Sequence, residues 1–205
     1  MKYTIIEDCS PYYIRFKHEG IEDLIEYLRN IYSTSKFVQS FTWNKYFMHC
    51  RLTREDGIRL LEKIPVADDM NFLKQRVSFF VSKPGLYYRA HKDGINDQFS
   101  INYTIDIADD KCVTSWYDDA DLKEYQSSTN SGNSRECINF DKSKHVPLKS
   151  MIAKQGECIL FNTNIYHDWD NTLSSNQRVV LTLRHETPGQ VTFDDAKQIL
   201  FRSLV

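Results

Sequence analysis

Between about residues 75 and 185 the sequence carries a series of short strand-forming segments, joined by turns and a polar loop and not alternating with helices. Residues 77–81, 86–91, 99–107, 112–117, 158–161, 165–169 and 178–185 are rich in β-branched and aromatic side chains, and Pro84-Gly85 punctuates the first pair. A parallel sheet needs a long crossover between strands, so this texture argues against a doubly wound α/β fold. Many short strands leave exposed edges unless the sheet rolls up or meets a second one, which predicts a sandwich or rolled sheet. Asp109-Asp110 reads as a hairpin turn between segments 99–107 and 112–117. Residues 127–135, polar and aperiodic, read as loop.

The first third reads as helical with short strand pieces. Ile21, Leu24, Ile25 and Leu28 recur at the spacing of one helical face, opposite Glu22, Asp23, Glu26 and Arg29. Thr53 with Asp56 forms a capping pattern for a second helix, with Ile58, Leu61 and Ile64 as its buried side and Pro65 as its stop. Thr192 with Asp195 repeats that pattern before a terminal helix over 193–200. With no linker rich in Pro or Gly and no internal repeat, the expectation is one domain over 1–205, its β-core spanning about 75–187.

A formal charge of -2, without a basic stripe or tail, argues against binding a nucleic-acid backbone. The five cysteines form no CxxC pair, which fits free thiols in a reducing compartment. The start of the chain is too short in apolar residues for a signal peptide, and no stretch is long enough to span a membrane. A cytoplasmic protein with no membrane partner is expected; the oligomeric state is open.

The chemistry concentrates in two places. In Tyr87-Tyr88-Arg89-Ala90-His91-Lys92-Asp93-Gly94, His91 and Asp93 stand two apart, so an extended backbone turns both toward one point. A third ligand candidate, His167, lies on a later strand. Two histidines and one carboxylate form the facial set typical of non-haem Fe(II) enzymes, although zinc accepts the same donors. Beyond the turn-like Asn171-Thr172-Leu173-Ser174-Ser175-Asn176, Arg178 opens the next strand, and a hairpin of this length is expected to return it beside His167. A guanidinium there can hold a dicarboxylate bidentately while the other end of that molecule chelates the metal. Arg184, on the same face by parity, is the second choice for this clamp.

The His91-Lys92-Asp93 triplet, the distal His167 and the following Arg178 resemble the HxD…H…R pattern of the Fe(II)/2-oxoglutarate-dependent dioxygenases. The flanking AHKDG, ILFNTNIYHDWDN and QRVVLTLR look like stretches of the prolyl-hydroxylase, phytanoyl-CoA-hydroxylase and aspartyl/asparaginyl-hydroxylase-like branches. The likeness covers roughly half the chain, residues 77–185. It implies a double-stranded β-helix, or cupin-like jelly roll, with flanking N-terminal helices. It further implies Fe(II) on His91, Asp93 and His167, and 2-oxoglutarate held by Arg178. Tyr88, Asn102 and Thr182 are candidates to complete the cosubstrate pocket, and Asn171 matches a structural turn asparagine. Val180 departs from relatives that carry a small polar residue there. The implied reaction is hydroxylation of a C–H bond in a peptidyl residue or small metabolite, releasing succinate and CO2.

Two rival readings are a cupin-like metalloenzyme that does not use 2-oxoglutarate and a non-catalytic β-sandwich binding domain. His18, His49, His145 and His185 read as ordinary surface or core histidines, Cys158 as a structural thiol and Glu157 as a turn or edge charge. Trp116, Tyr117 and Trp169 are candidates for the pocket wall or the core. The acidic run at residues 118–121 reads as solvated surface.

Overall fold

The computed structural model describes residues 2–34, 39–43, 47–70, 72, 77–93, 98–107, 111–122, 126–128, 135–137, 140–185 and 189–202. The chain begins with β1 (Tyr3–Cys9) and β2 (Tyr13–His18), then α1 (Ile21–Thr34), β3 (Gln39–Trp43), β4 (Phe47–Arg51), α2 (Arg54–Leu61) and α3 (Val66–Asp69). β5 (Ser78–Ser82), β6 (Tyr87–Lys92), β7 (Phe99–Ile107) and β8 (Val113–Trp116) follow, with α4 (Asp119–Leu122) after them. β9 (Gln126–Ser128), β10 (Arg135–Cys137), β11 (Lys149–Ile152), β12 (Cys158–Asn162), β13 (His167–Asp170), β14 (Arg178–Leu183) and α5 (Phe193–Phe201) complete it.

The strands form two antiparallel sheets, ordered β1-β2-β12-β7-β14-β5-β4-β3 and β11-β8-β13-β6-β10-β9. The fold is a double-stranded β-helix flanked by helices. Alternation along β14 defines its two faces. Val179, Leu181 and Leu183 pack with α1, α2 and α5 through Leu28, Leu60 and Phe201, whereas Arg178, Val180 and Thr182 point the other way. That second face looks into the space between the sheets. Ile159 of β12 lies beside Asn102, the register partner of Thr182, and packs on Trp116 and Met151 of the opposite sheet.

The helices form for the reasons visible in the sequence. Ile21, Leu24, Ile25 and Leu28 are the buried stripe of α1. Thr53 Oγ1 accepts from the Asp56 N–H at 3.0 Å, and the Thr192/Asp195 capping box is complete. Leu28 is fully buried in the helix-side core, and truncation to alanine there costs about 2–5 kcal/mol. On α2 the buried set is Gly57, Leu60 and Leu61, with Ile58 only half-buried.

Several expectations are corrected. The short strand pieces expected in the first third include β1 and β2 ahead of α1, and β2 is built into the larger sheet against β12, so strands well before residue 75 belong to the sheet. Tyr13, Ile14 and Phe16 supply this strand, whose buried residues face both the helix-side core and the interior between the sheets. β7 and β8 do not form a hairpin, because they belong to different sheets; residues 108–110, with the expected turn, lie outside the described residues. β13 and β14 likewise belong to different sheets, so Arg178 is not hydrogen-bonded beside His167 but pairs with Ser82 and Ile107. Ser127 and Ser128 belong to β9, and residues 129–134 lie outside the described residues. Glu157 is no edge charge: it is buried and takes Arg15 bidentately at 2.7–2.9 Å.

Candidate metal centre

His91 lies near the end of β6 and His167 opens β13, and the two are register partners with ring centroids 4.4 Å apart. Asp93 follows β6, where its N–H donates to the Thr163 carbonyl at 3.3 Å. The Asp93 Oδ1 atom is 3.3 Å from His91 Nε2 and 4.0 Å from His167 Nε2, and the three ligand atoms lie within 4.8 Å of one another. Local spacing brought the first pair together; sheet register brought the third.

The ring orientations suit a metal. His91 Nδ1 is 3.0 Å from the Arg89 carbonyl and His167 Nδ1 is 2.9 Å from the Ile165 carbonyl. A carbonyl can only accept, so each Nδ1 carries the proton and each Nε2 presents its lone pair to the common point. Burial, and then His91 beside it, push His167 down to about 3, which keeps it neutral and ligand-competent. For Asp93 burial works in the opposite sense, but Arg184 and then the two histidines outweigh it and hold the carboxyl well below the usual range. Arg184 Nη2 donates to Asp93 Oδ2 at 2.6 Å. The donor set is therefore two neutral imidazoles and one carboxylate, which Fe(II) or zinc accepts.

The interior face of the larger sheet also carries several polar groups. Arg178 is 7% exposed; its longest reach is a 3.9 Å contact from Nη1 to Cys112 Sγ, and it has no carboxylate partner among the described residues. Its Nε, Asn102 Oδ1, Thr104 Oγ1 and Trp116 Nε1 are all buried without a hydrogen-bond partner in the protein. Each such group costs about 1–3 kcal/mol, so several on one interior surface mark a place built for a polar ligand. Asn102 and Thr104 are the register partners of Thr182 and Val180. The Tyr88 ring sits edge-on to His91 at 4.5 Å and stacks on Trp169 at 5.7 Å.

The sequence candidates thus divide. His91, Asp93 and His167 converge, Tyr88 borders them, and Asn102, Thr182 and Arg178 share the interior face. Arg184, expected as the second-choice clamp, is instead engaged with Asp93. Trp116 is fully buried on the interior side opposite His167. Tyr117 faces the other way, donating from its hydroxyl to Asp168 at 2.8 Å, and burial raises the Asp168 carboxyl. Asn171 has the structural role expected, its Nδ2 donating to the Lys83 and Asn176 carbonyls. His18 bonds the Glu19 carbonyl, His49 stacks on Phe80, and Asp118 and Asp119 are exposed. Trp116, a candidate for the pocket wall or the core, places its Nε1 on this interior side, whereas Thr104 and Cys112 were not among the site candidates. The alternation Ser100, Asn102, Thr104 along one strand face is the sequence signal for Thr104; Cys112 carries none.

No protein-family profile and no curated protein matches the sequence. Solved structures do share the fold. The non-heme alpha-ketoglutarate-dependent epimerase SnoN from nogalamycin biosynthesis is 10% identical over 88% of this chain and 83% of its own, with a TM-score of 0.55. HygX from Streptomyces hygroscopicus, solved with nickel and 2-oxoglutarate bound, is 11% identical over 88% of this chain and 84% of its own, with a TM-score of 0.56. At such identity the likeness establishes the jelly-roll fold.

No helix among the described residues is long and apolar enough to cross a membrane.

Proposed function

We propose that this chain is an Fe(II)- and 2-oxoglutarate-dependent oxygenase that hydroxylates a C–H bond of a small metabolite or peptidyl residue. The observation that carries the reading is a buried guanidinium, Arg178, without a carboxylate partner among the described residues and facing the same barrel interior as a two-histidine, one-carboxylate cluster. HygX with 2-oxoglutarate and nickel, and SnoN in complex with Fe3+ and alpha ketoglutarate, support it as proteins of the same fold.

In this reading His91 Nε2, His167 Nε2 and an Asp93 oxygen hold Fe(II) and leave positions for other ligands. Arg178 binds the far carboxylate of 2-oxoglutarate, while Asn102, Thr182 and Tyr88 line its length. Bound iron supplies the activation of dioxygen, coupled to oxidative decarboxylation of 2-oxoglutarate to succinate and CO2. The protein contributes orientation: the backbone carbonyls of Arg89 and Ile165 fix the imidazoles, and Arg184 fixes the carboxylate. Trp116, Phe161 and Ile159 keep the interior dry.

The test is succinate formation from 2-oxoglutarate with Fe(II) under air, in wild type and in His91→Ala, Asp93→Ala and Arg178→Gln. Fe(II)-dependent turnover lost in all three variants supports the reading. Metal binding at the cluster without any 2-oxoglutarate turnover would instead indicate a cupin-like enzyme of another kind, and unchanged metal uptake in the ligand variants would remove the site.

A further inference from the structure

Cys112, immediately before β8, is 1% exposed and touches the guanidinium of Arg178. That contact, 3.9 Å from Sγ to Nη1, is at the long end for a hydrogen bond to sulfur. The same guanidinium keeps an unpartnered, buried Nε. A thiol therefore sits against a buried cation that keeps one donor without a partner and that has no carboxylate partner among the described residues.

We propose that Cys112 is an oxidative modification site, and that its sulfinate form occupies the carboxylate subsite of Arg178 and so excludes the cosubstrate. This rests on the reading of Arg178 given above. The oxidant is hydrogen peroxide. Sγ attacks one peroxide oxygen, the O–O bond breaks, water leaves and a sulfenic acid forms. A second peroxide repeats the step, giving sulfinic acid and another water. The acid then releases a proton, so that one thiol and two peroxides yield one sulfinate, two waters and one proton. The two oxygens of a sulfinate resemble those of a carboxylate, and a guanidinium binds such a pair with charge-assisted bonds of roughly 2.7–2.9 Å. An anion formed at Cys112 meets its counter-cation in place, which removes the penalty of burying it alone. The other described cysteines lie elsewhere. Cys50 and Cys158 pack in the helix-side core, and Cys9 is partly exposed near Glu7.

The experiment treats metal-free protein with hydrogen peroxide, removes the excess with catalase, and maps the cysteines by peptide mass spectrometry. The affinity for 2-oxoglutarate is then measured with Mn(II) and compared with that of untreated protein. The expected result is a Cys112 peptide heavier by two oxygen atoms and an affinity reduced about tenfold or more. In Cys112→Ser the ratio of treated to untreated affinity stays near one. Prior addition of Mn(II) and 2-oxoglutarate protects Cys112 while Cys9 still reacts, and this is read on wild type alone should the serine variant not fold. An unmodified Cys112 under conditions that oxidise Cys9, or equal loss of affinity in the serine variant, overturns the proposal. Untreated wild type that binds no 2-oxoglutarate sinks the Arg178 reading together with this one, whereas normal binding that survives Cys112 oxidation sinks this one alone.

Discussion

Arg184 holds Asp93 by its outer oxygen, Nη2 to Oδ2 at 2.6 Å, while Oδ1 of the same carboxylate faces His91 and His167. The pair fixes which oxygen meets a metal. Arg184 lies just beyond β14 of the larger sheet, whereas His91 and His167 belong to the smaller one, so the contact ties the two sheets at the site.

Replacing Arg184 by alanine is expected to weaken Mn(II) or Fe(II) binding about 10–100-fold, the usual effect of losing a partner that orients a ligand. Arg184→Lys should recover part of this, because the charge persists without the fork. Anaerobic metal titration decides it. Unchanged affinity in the alanine variant would show that Asp93 needs no such support.

Arg178→Gln should leave metal affinity as it is and weaken 2-oxoglutarate by about tenfold to a hundredfold, since a charge-assisted pair contributes about 1.5–3 kcal/mol. A binding titration at saturating Mn(II) separates the two effects. If metal and cosubstrate affinity fell together, Arg178 would be serving the fold rather than a ligand.

Asn171→Ala should destabilise the protein without touching the metal site. The Asn171 side chain is buried and its Nδ2 serves two carbonyls, on Lys83 and Asn176. Losing these donors costs about 1–3 kcal/mol, or roughly 2–4 °C in Tm per kcal/mol for a chain of this size. Calorimetry on the metal-free variant, beside a metal titration, tests both halves of the expectation.

Stability of the metal-free protein should fall as pH drops from 7 toward 5. His18 and His167 are pushed below the usual histidine value of 6.5, by burial first and, for His167, to about 3. In that window the unfolded chain takes up protons that the folded histidines refuse, so acid favours unfolding; above 6.5 the full stability is present. Urea unfolding at both pH values measures this, and His18→Gln should lessen the decline. A flat profile would contradict the depressed values.

Much of the fold could be read along the chain. Helical periodicity at Ile21, Leu24, Ile25 and Leu28, and capping at Thr53 and Thr192, are interactions between residues a few positions apart. The alternation on β7 and β14 likewise separates core from interior without reference to distant residues. The strand pieces expected in the first third carried no positions, and what places β2 in the larger sheet is pairing with β12, far away in sequence.

The metal cluster was half legible for the same reason. His91 and Asp93 face one way because a strand alternates, and that geometry is local. His167 joins them only because β13 lies beside β6 in a register that sets the two histidines opposite each other. Arg178 and Arg184 share one strand face and one chemistry, and their sequence positions alone could not assign them. Folding left the first in the barrel interior without a carboxylate among the described residues, and brought the second onto Asp93. Side-chain type and strand parity are properties of a short segment of chain; which charge meets which counter-charge depends on how two sheets close over each other.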